Sequence, residues 1–481
     1  MTASGPVRYL STRGGIEPAP FSAVLVEGLA ADGGLAVPDR IPRFTTDELA
    51  RLRGRPYADV ALAVIRRFVD DIDPGVLAEI VVATYGSDVF AAPDVITVDP
   101  LGDGLHLVGL SHGPTLAFKD MALQLVGRLL DHVLERSGGR LTVLGATSGD
   151  TGPSAEYAMI GRSRIDVVML SPEGRTSPFQ AAQMYALDEP NIVNLVVRGV
   201  FDDCQDLVKA VNADADFKTR HHIGAVNSIN WSRVLAQVVY YVAAYLRVAD
   251  QVGDEVSFTV PTGNFGNVYA GFVARSMGVP IRRLVVACNE NDVLDEFFRT
   301  GRYRVRGRDE VVATSSPSMD ISKASNFERY IHHLLGDDPV RTTALFATLA
   351  DTGGFDLGDD PAFARVETDG MVSGTASHAD RIATIADIHR RFGRLIDPHT
   401  ATGVKVGSDQ QQPGIPMICL ETAQPVKFAG AIEEAVGFLP APPPQLADLL
   451  DRPQRFTVID ADPDQVKTAI AAHGEPASAH S

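Results

Sequence analysis

Apolar residues at positions 122, 125, 126, 129, 130, 133 and 134 line one face of a predicted helix from Lys119 to Arg136. Ser137-Gly138-Gly139 stops it. Leu141–Ala146 then reads as a buried strand, Thr147–Gly152 as a tight loop, Ser154–Ile160 as a helix and Ile165–Leu170 as a second strand. That order is the signature of a parallel sheet. It recurs with Val256–Val260 as strand, Pro261–Asn267 as loop, Val268–Met277 as helix and Leu284–Cys288 as strand. An α/β fold follows, with two lobes built on mainly parallel central sheets. No sequence repeat accompanies the recurrence. A long helix, Trp231–Val248, lies between the lobes in sequence.

Elsewhere the pattern is weaker. Residues 1–40 hold turns such as Asp32-Gly33-Gly34 around a strand-like run, Ala23–Val26. Helices are expected at Thr45–Leu52, Tyr57–Phe68 and Pro74–Tyr85, and a strand at Leu105–Leu110. Residues 299–410 are the least legible stretch. Pro440–Pro444 reads as a connector, and 471–481 as a disordered tail. The expected organisation is an N-terminal subdomain over 1–95, a large domain from 96–114 and 246–470, and a small domain over 115–245.

A chain of 481 residues, 45% hydrophobic and 22% charged, suits two or three globular domains. The net charge of −18 argues against non-specific binding to nucleic acid or anionic membranes. An anionic small substrate would need a local cationic pocket. Cys204, Cys288 and Cys419 match no metal or disulfide spacing, which points to free thiols in a reducing compartment. Met1–Leu10 has no signal-peptide core, and no apolar run reaches the ~18 residues of a membrane span. The expected location is the cytoplasm.

Three segments carry candidate chemistry. Lys119 follows a Gly-Pro-Thr turn and a largely apolar run, where a held, desolvated amine has a lowered pKa and can form a Schiff base. The alternative is a surface lysine at a helix start, where a cation opposes the helix dipole and Asp120 supplies the preferred acid. Gly263-Asn264-Phe265-Gly266-Asn267 lies between strand and helix, so its N–H groups suit a phosphate, or form an ordinary tight turn. Thr147-Ser148-Gly149-Asp150-Thr151-Gly152 is placed alike; it offers an anion site, or a cap through Asp150, Thr151 or Ser154. Neither loop is a dinucleotide or nucleotide phosphate-loop motif. The pairs His221-His222 and His332-His333 lack metal-ligand spacing and read as solvated or capping histidines. A reactive lysine with anion-binding loops suggests pyridoxal phosphate.

At this point the chain resembles the longer branch of the threonine synthase family, from Tyr9 to about Phe428. The residues that carry the resemblance are Ser11–Gly14, Gly28–Leu35, the Lys119 run, Ser148–Pro153, Asn227–Arg233, Gly263–Asn267, Ser325–Arg329 and Thr422–Phe428. The resemblance implies the tryptophan-synthase β-like fold, or fold type II of pyridoxal-phosphate enzymes. It implies pyridoxal 5'-phosphate joined to Lys119, its phosphate on Gly263–Asn267 and its ring nitrogen on the Thr422 hydroxyl. Substrate contacts carried over are Thr147, Ser148, Thr151, Asn227 and Arg233, the last to a phosphate or carboxylate, or else to a structural ion pair. The shorter branch has Asn where Asp150 stands; Asp150 would be protonated near the cofactor, or turned away to cap the helix. The implied reaction converts O-phospho-L-homoserine and water to L-threonine and phosphate in a monomer. Release of 2-oxobutyrate by a phospho-lyase relative, and a non-catalytic cofactor-binding paralogue, are the alternatives.

Overall fold

The computed structural model describes residues 5–224 and 226–474. Two compact units emerge. The larger holds Leu29–Ala122 and Ser228–Pro440 with most of the N-terminal segment, and the smaller holds Leu123–Asn227 and the chain from Ala441. This differs from the expected division in three places. Lys119 and the helix Trp231–Val248 belong to the larger unit. Residues 29–95 do too, because the helix Tyr57–Ile65 packs on Trp231–Val248 and the Trp231 indole donates to the Tyr9 hydroxyl at 3.1 Å. The chain after Ala441 joins the smaller unit, because the strand Thr457–Ile459 pairs in parallel with Ile192–Val197.

The larger unit is built on a six-stranded sheet. Its order is Met371–Thr375, Ile281–Cys288, Val256–Pro261, Met417–Glu421, Leu105–Gly109 and Thr97–Pro100. All neighbours run parallel except the last pair. Val256–Pro261 and Met417–Glu421 are buried throughout, as a sheet covered on both faces requires. The smaller unit has five parallel strands in the order Thr457–Ile459, Ile192–Val197, Ile165–Pro172, Leu141–Ala146 and Ile223–Gly224. Leu144, Val168, Leu195, Val466 and Ile470 fill its core.

Several sequence expectations are corrected. Ala23–Val26 lies within a helix, Phe21–Glu27, because Phe21, Val24 and Leu25 share the i, i+3, i+4 face that is buried. Residues 471–474 finish the helix Pro463–Gly474 instead of opening a tail; 475–481 lie outside the described residues. The poorly legible 299–410 contains the helices Phe327–Leu334, Pro339–Thr352, His378–Phe392 and Pro398–Asp409. Three of them start on side-chain caps, from Asp338, Ser377 and Asp397.

Candidate active site

In parallel sheets, ligands collect beyond the carboxyl ends of the strands. Three neighbouring strands of the larger unit, Leu105–Gly109, Met417–Glu421 and Val256–Pro261, end together, with Glu421 opposite Gly109 and Cys419 opposite Thr259. The segments that follow carry Lys119, Thr422 and Gly263–Asn267. Chain order separates these residues; strand order unites them.

Lys119 is half-buried at the cap position of the helix Asp120–Ser137, its carbonyl accepting from Ala122 N–H at 3.2 Å. The preceding turn is tied from behind. Asp120 is fully buried and accepts from the Thr115 backbone N–H at 2.8 Å and hydroxyl at 2.7 Å. The ammonium of buried Lys427 donates to the Thr115 carbonyl at 2.7 Å. Leu116 takes φ +60°, a left-handed conformation rare for a branched aliphatic. Phe118 N–H donates to the Thr422 carbonyl at 2.8 Å, and Gln424 N–H to the Leu116 carbonyl at 3.0 Å. These bonds fix Lys119 beside the end of the strand Met417–Glu421.

Thr422 is buried, and its hydroxyl meets no hydrogen-bond partner among the described residues. Its N–H donates to the Thr400 hydroxyl oxygen at 3.1 Å, which locks the backbone. An orphaned buried hydroxyl costs about 1–3 kcal/mol. It suits a group that a bound ligand satisfies, and a pyridine nitrogen is such an acceptor.

The Gly263–Asn267 loop leads from Pro261 into the helix Gly266–Ser276. A Cβ on Gly263 would stand 2.5 Å from the Ser318 carbonyl oxygen, so only glycine fits. Asn264 is exposed; its carbonyl accepts from Asn326 N–H at 3.0 Å and its side chain from Ser325 Oγ at 3.2 Å. Phe265 takes φ +63° at the helix cap, held among Phe298, Phe327 and Tyr330. Gly266 lies against Asn326, whose Nδ2 would be 3.1 Å from an added Cβ. Asn267 Oδ1 accepts from the hydroxyls of Tyr240 at 2.7 Å and Tyr241 at 2.8 Å. Burial pushes both phenols well above their usual pKa, so they stay protonated donors. The amide is thereby oriented, and its Nδ2 is a buried donor with no partner among the described residues. A glycine cradle, a helix N-terminus and an unspent amide donor fit a phosphate.

The remaining expected residues fall as follows. Arg233 is buried in the first turn of Trp231–Val248, and burial brings its guanidinium down to about 10, still a cation at neutral pH. Arg329 is also buried and shifted to about 10, and it donates to the Ala36 and Ile229 carbonyls. Glu328 accepts from Thr12 and Arg13. These anchors of the sequence motif are structural. In the smaller unit, Ser148 and Asn227 are exposed and Thr151 opens the helix Thr151–Met159. The capping expected of Asp150, Thr151 or Ser154 belongs to Thr147, whose hydroxyl accepts from Gly149 N–H at 3.1 Å and Gly152 N–H at 3.0 Å. Asp150 makes no cap bond, because its Oδ1 accepts from Gln180 Nε2 at 2.7 Å. His332 is buried against Thr342 Oγ1 at 2.9 Å and is neither solvated nor a cap; burial lowers its pKa.

Sequence reasoning missed Lys427, Thr400 and His399. His399 Nε2 accepts from Ser318 N–H at 3.1 Å, bracing the segment behind Gly263. The Asp397-Pro398 pair is a helix-start signal that could have drawn attention to them. Among the described residues no cluster of potential metal ligands occurs, and no helix is long and apolar enough to cross a membrane.

Comparison with known proteins shows the family. Three family models match in order: "Threonine synthase N terminus" over residues 8–85, "Pyridoxal-phosphate dependent enzyme" over 98–414 and "Threonine synthase, C-terminal" over 400–470. The chain is 51% identical to the threonine synthase of Methylobacillus glycogenes, over 97% of this chain and 100% of that one. It is 52% identical to the threonine synthase of Corynebacterium glutamicum, over 96% and 98%. The crystal structure of pyridoxal-phosphate-bound threonine synthase from Brucella melitensis matches with a TM-score of 0.94 and 40% identity, covering 98% of this chain and 100% of that one. The fold is that of fold type II pyridoxal-phosphate enzymes, and the chain belongs to the threonine synthase family.

Proposed function

We propose that the chain converts O-phospho-L-homoserine and water to L-threonine and inorganic phosphate. The observation that carries this reading is the buried, unspent Thr422 hydroxyl, set beside the Lys119 segment by the Phe118–Thr422 backbone bond. Gly263, Asn264, Phe265, Gly266 and Asn267 hold the phosphate of pyridoxal 5'-phosphate, through backbone N–H groups and the Asn267 amide. Thr422 donates to the ring nitrogen; a neutral hydroxyl there leaves the ring without a full positive charge. The cofactor, when bound, supplies an electron sink for the pair left at the substrate Cα.

Lys119 does the proton work. Its amine would hold the cofactor and be freed when the substrate binds. The freed amine removes the Cα proton; the substrate phosphate, or the amine once it has passed that proton on, removes a Cβ proton as phosphate departs from Cγ, and the two protons later return to Cγ and Cα. Water adds at Cβ, and Lys119 returns to its first position. Arg233 and Asn227, with Thr147, Ser148 and Thr151, are the proposed substrate contacts; a bidentate guanidinium suits a phosphate or carboxylate. Asp150 remains a proposed cofactor neighbour. With a net charge of −18, the field that attracts two phosphates is local, from helix N-termini and a buried cation. The reading includes a cytoplasmic monomer.

Incubation of the purified protein with O-phosphohomoserine tests this. Threonine and phosphate in equal amounts are expected. 2-Oxobutyrate in place of threonine would favour a phospho-lyase, and binding of pyridoxal phosphate without turnover a non-catalytic paralogue. Gel filtration at the mass of one 51.4 kDa chain checks the oligomeric state.

A further inference from the structure

One fully buried carboxylate underlies both ends of the cofactor cradle. Asp397 precedes the helix Pro398–Asp409 and has no solvent exposure. Its Oδ1 accepts from His399 Nδ1 at 2.7 Å and from His399 N–H at 2.9 Å. Its Oδ2 accepts from the Thr400 hydroxyl and, at 3.4 Å, from Thr400 N–H. The two side chains then diverge. His399 Nε2 takes the Ser318 N–H, and the Ser318 carbonyl sits against Gly263. The Thr400 hydroxyl oxygen takes the Thr422 N–H.

A helix cap needs only the backbone bonds. The two side-chain bonds do something further, because a carboxylate only accepts. Thr400 must spend its proton on Asp397, which leaves its lone pairs for Thr422 N–H. His399 must carry its proton on Nδ1, which leaves Nε2 for Ser318 N–H. We propose that Asp397 is a positioning residue that sets the phosphate loop through His399 and the ring-nitrogen partner through Thr400. This rests on the assignment of Gly263–Asn267 and Thr422 as cofactor contacts.

An amide at 397 cannot serve both arms. If its oxygen faces His399, its NH2 donates to the Thr400 hydroxyl oxygen, which is then shared with the Thr422 N–H while the hydroxyl proton loses its acceptor. If it turns round, the NH2 meets His399 Nδ1–H and drives that proton to Nε2, against Ser318 N–H. Asn nevertheless caps helices as well as Asp.

The test measures dissociation constants of pyridoxal phosphate and of pyridoxal, which lacks the phosphate, for the apoproteins, alongside their melting temperatures. Asp397→Asn is expected to weaken pyridoxal phosphate at least tenfold and to melt within a few degrees of wild type. Thr400→Val should weaken both ligands by the same factor, and Thr400→Ser should restore both. His399→Phe, which keeps the ring packed on Phe428 (centroids 4.7 Å apart), should weaken pyridoxal phosphate and spare pyridoxal. Unchanged pyridoxal-phosphate affinity in Asp397→Asn overturns the proposal, as does an identical ligand profile for Thr400→Val and His399→Phe. If Asp397→Asn fails to fold, the Thr400 and His399 variants decide alone. Wild-type protein that binds no pyridoxal phosphate overturns the cofactor assignment itself, and this inference with it.

Discussion

The backbone N–H of Phe118 donates to the carbonyl of Thr422 at 2.8 Å. One bond thus joins the residue before Lys119 to the residue whose hydroxyl has no partner among the described residues. Replacing Lys119 by Ala leaves this backbone pairing in place and removes only the amine. Turnover of O-phosphohomoserine should vanish, together with the visible absorbance of cofactor joined to the enzyme, while the melting temperature of the apoprotein changes little. An active, coloured Lys119→Ala protein would defeat the assignment.

Thr422→Val separates function from stability. The hydroxyl has no partner among the described residues, so its removal relieves a buried unsatisfied group. The apoprotein should be as stable as wild type or slightly more so. The lost bond to the ring nitrogen should lower kcat/KM about 10- to 100-fold, the equivalent of roughly 1.4–3 kcal/mol. Thr422→Ser should keep most activity. Steady-state kinetics and thermal melts on the three proteins check both halves.

Two loop glycines should differ in tolerance. The Cβ of Gly263→Ala would meet a backbone oxygen at 2.5 Å, so the loop or the Ser316–Met319 segment must move. Overpacking of this kind costs about 1–3 kcal/mol, and pyridoxal-phosphate affinity should drop with it. Gly266→Ala meets a side-chain nitrogen at 3.1 Å and should cost less. Equal effects, measured by cofactor titration, would place the Gly263 contact outside the binding site.

Glu156 supplies a pH dependence in the smaller unit. It is fully buried, and burial raises its pKa well above the ordinary 4.5, with Asn194 opposing the shift. Folding therefore binds a proton there, and stability from this group is lost as pH rises above 4.5 toward the folded value. Glu156→Gln removes the titration. Its melting temperature should exceed that of wild type at pH 8 by more than at pH 4.5. A constant difference across that range would show that Glu156 does not titrate on unfolding.

Much of the larger unit was legible because its elements are periodic or strongly punctuated. Trp231–Val248 begins and ends where its apolar face predicts, since nearly every residue of it is buried. Ala23–Val26 was not legible: four apolar or small residues suit a strand or one turn of helix, and only the burial of Phe21, Val24 and Leu25 decides. The candidate site was half legible. Lys119, Thr422 and the Gly263 loop stand in recognisable runs. Thr147 was placed in its loop, but its capping role was given to its neighbours, because N-cap propensity does not say which hydroxyl reaches the N–H groups. Asp397, His399 and Lys427 carry no local mark of what they touch.

The sequence by itself determined the alternation of strands and helices, the two mainly parallel sheets and the family, since each depends on residue order and local periodicity. Only the tertiary structure decided which strand ends meet. The strands Leu105–Gly109, Val256–Pro261 and Met417–Glu421 are far apart in the chain and adjacent in the sheet, because hydrogen-bonded register follows strand order rather than chain order. That adjacency places Lys119, Gly263 and Thr422 at one edge. It also lets a single buried carboxylate, Asp397, reach behind the last two.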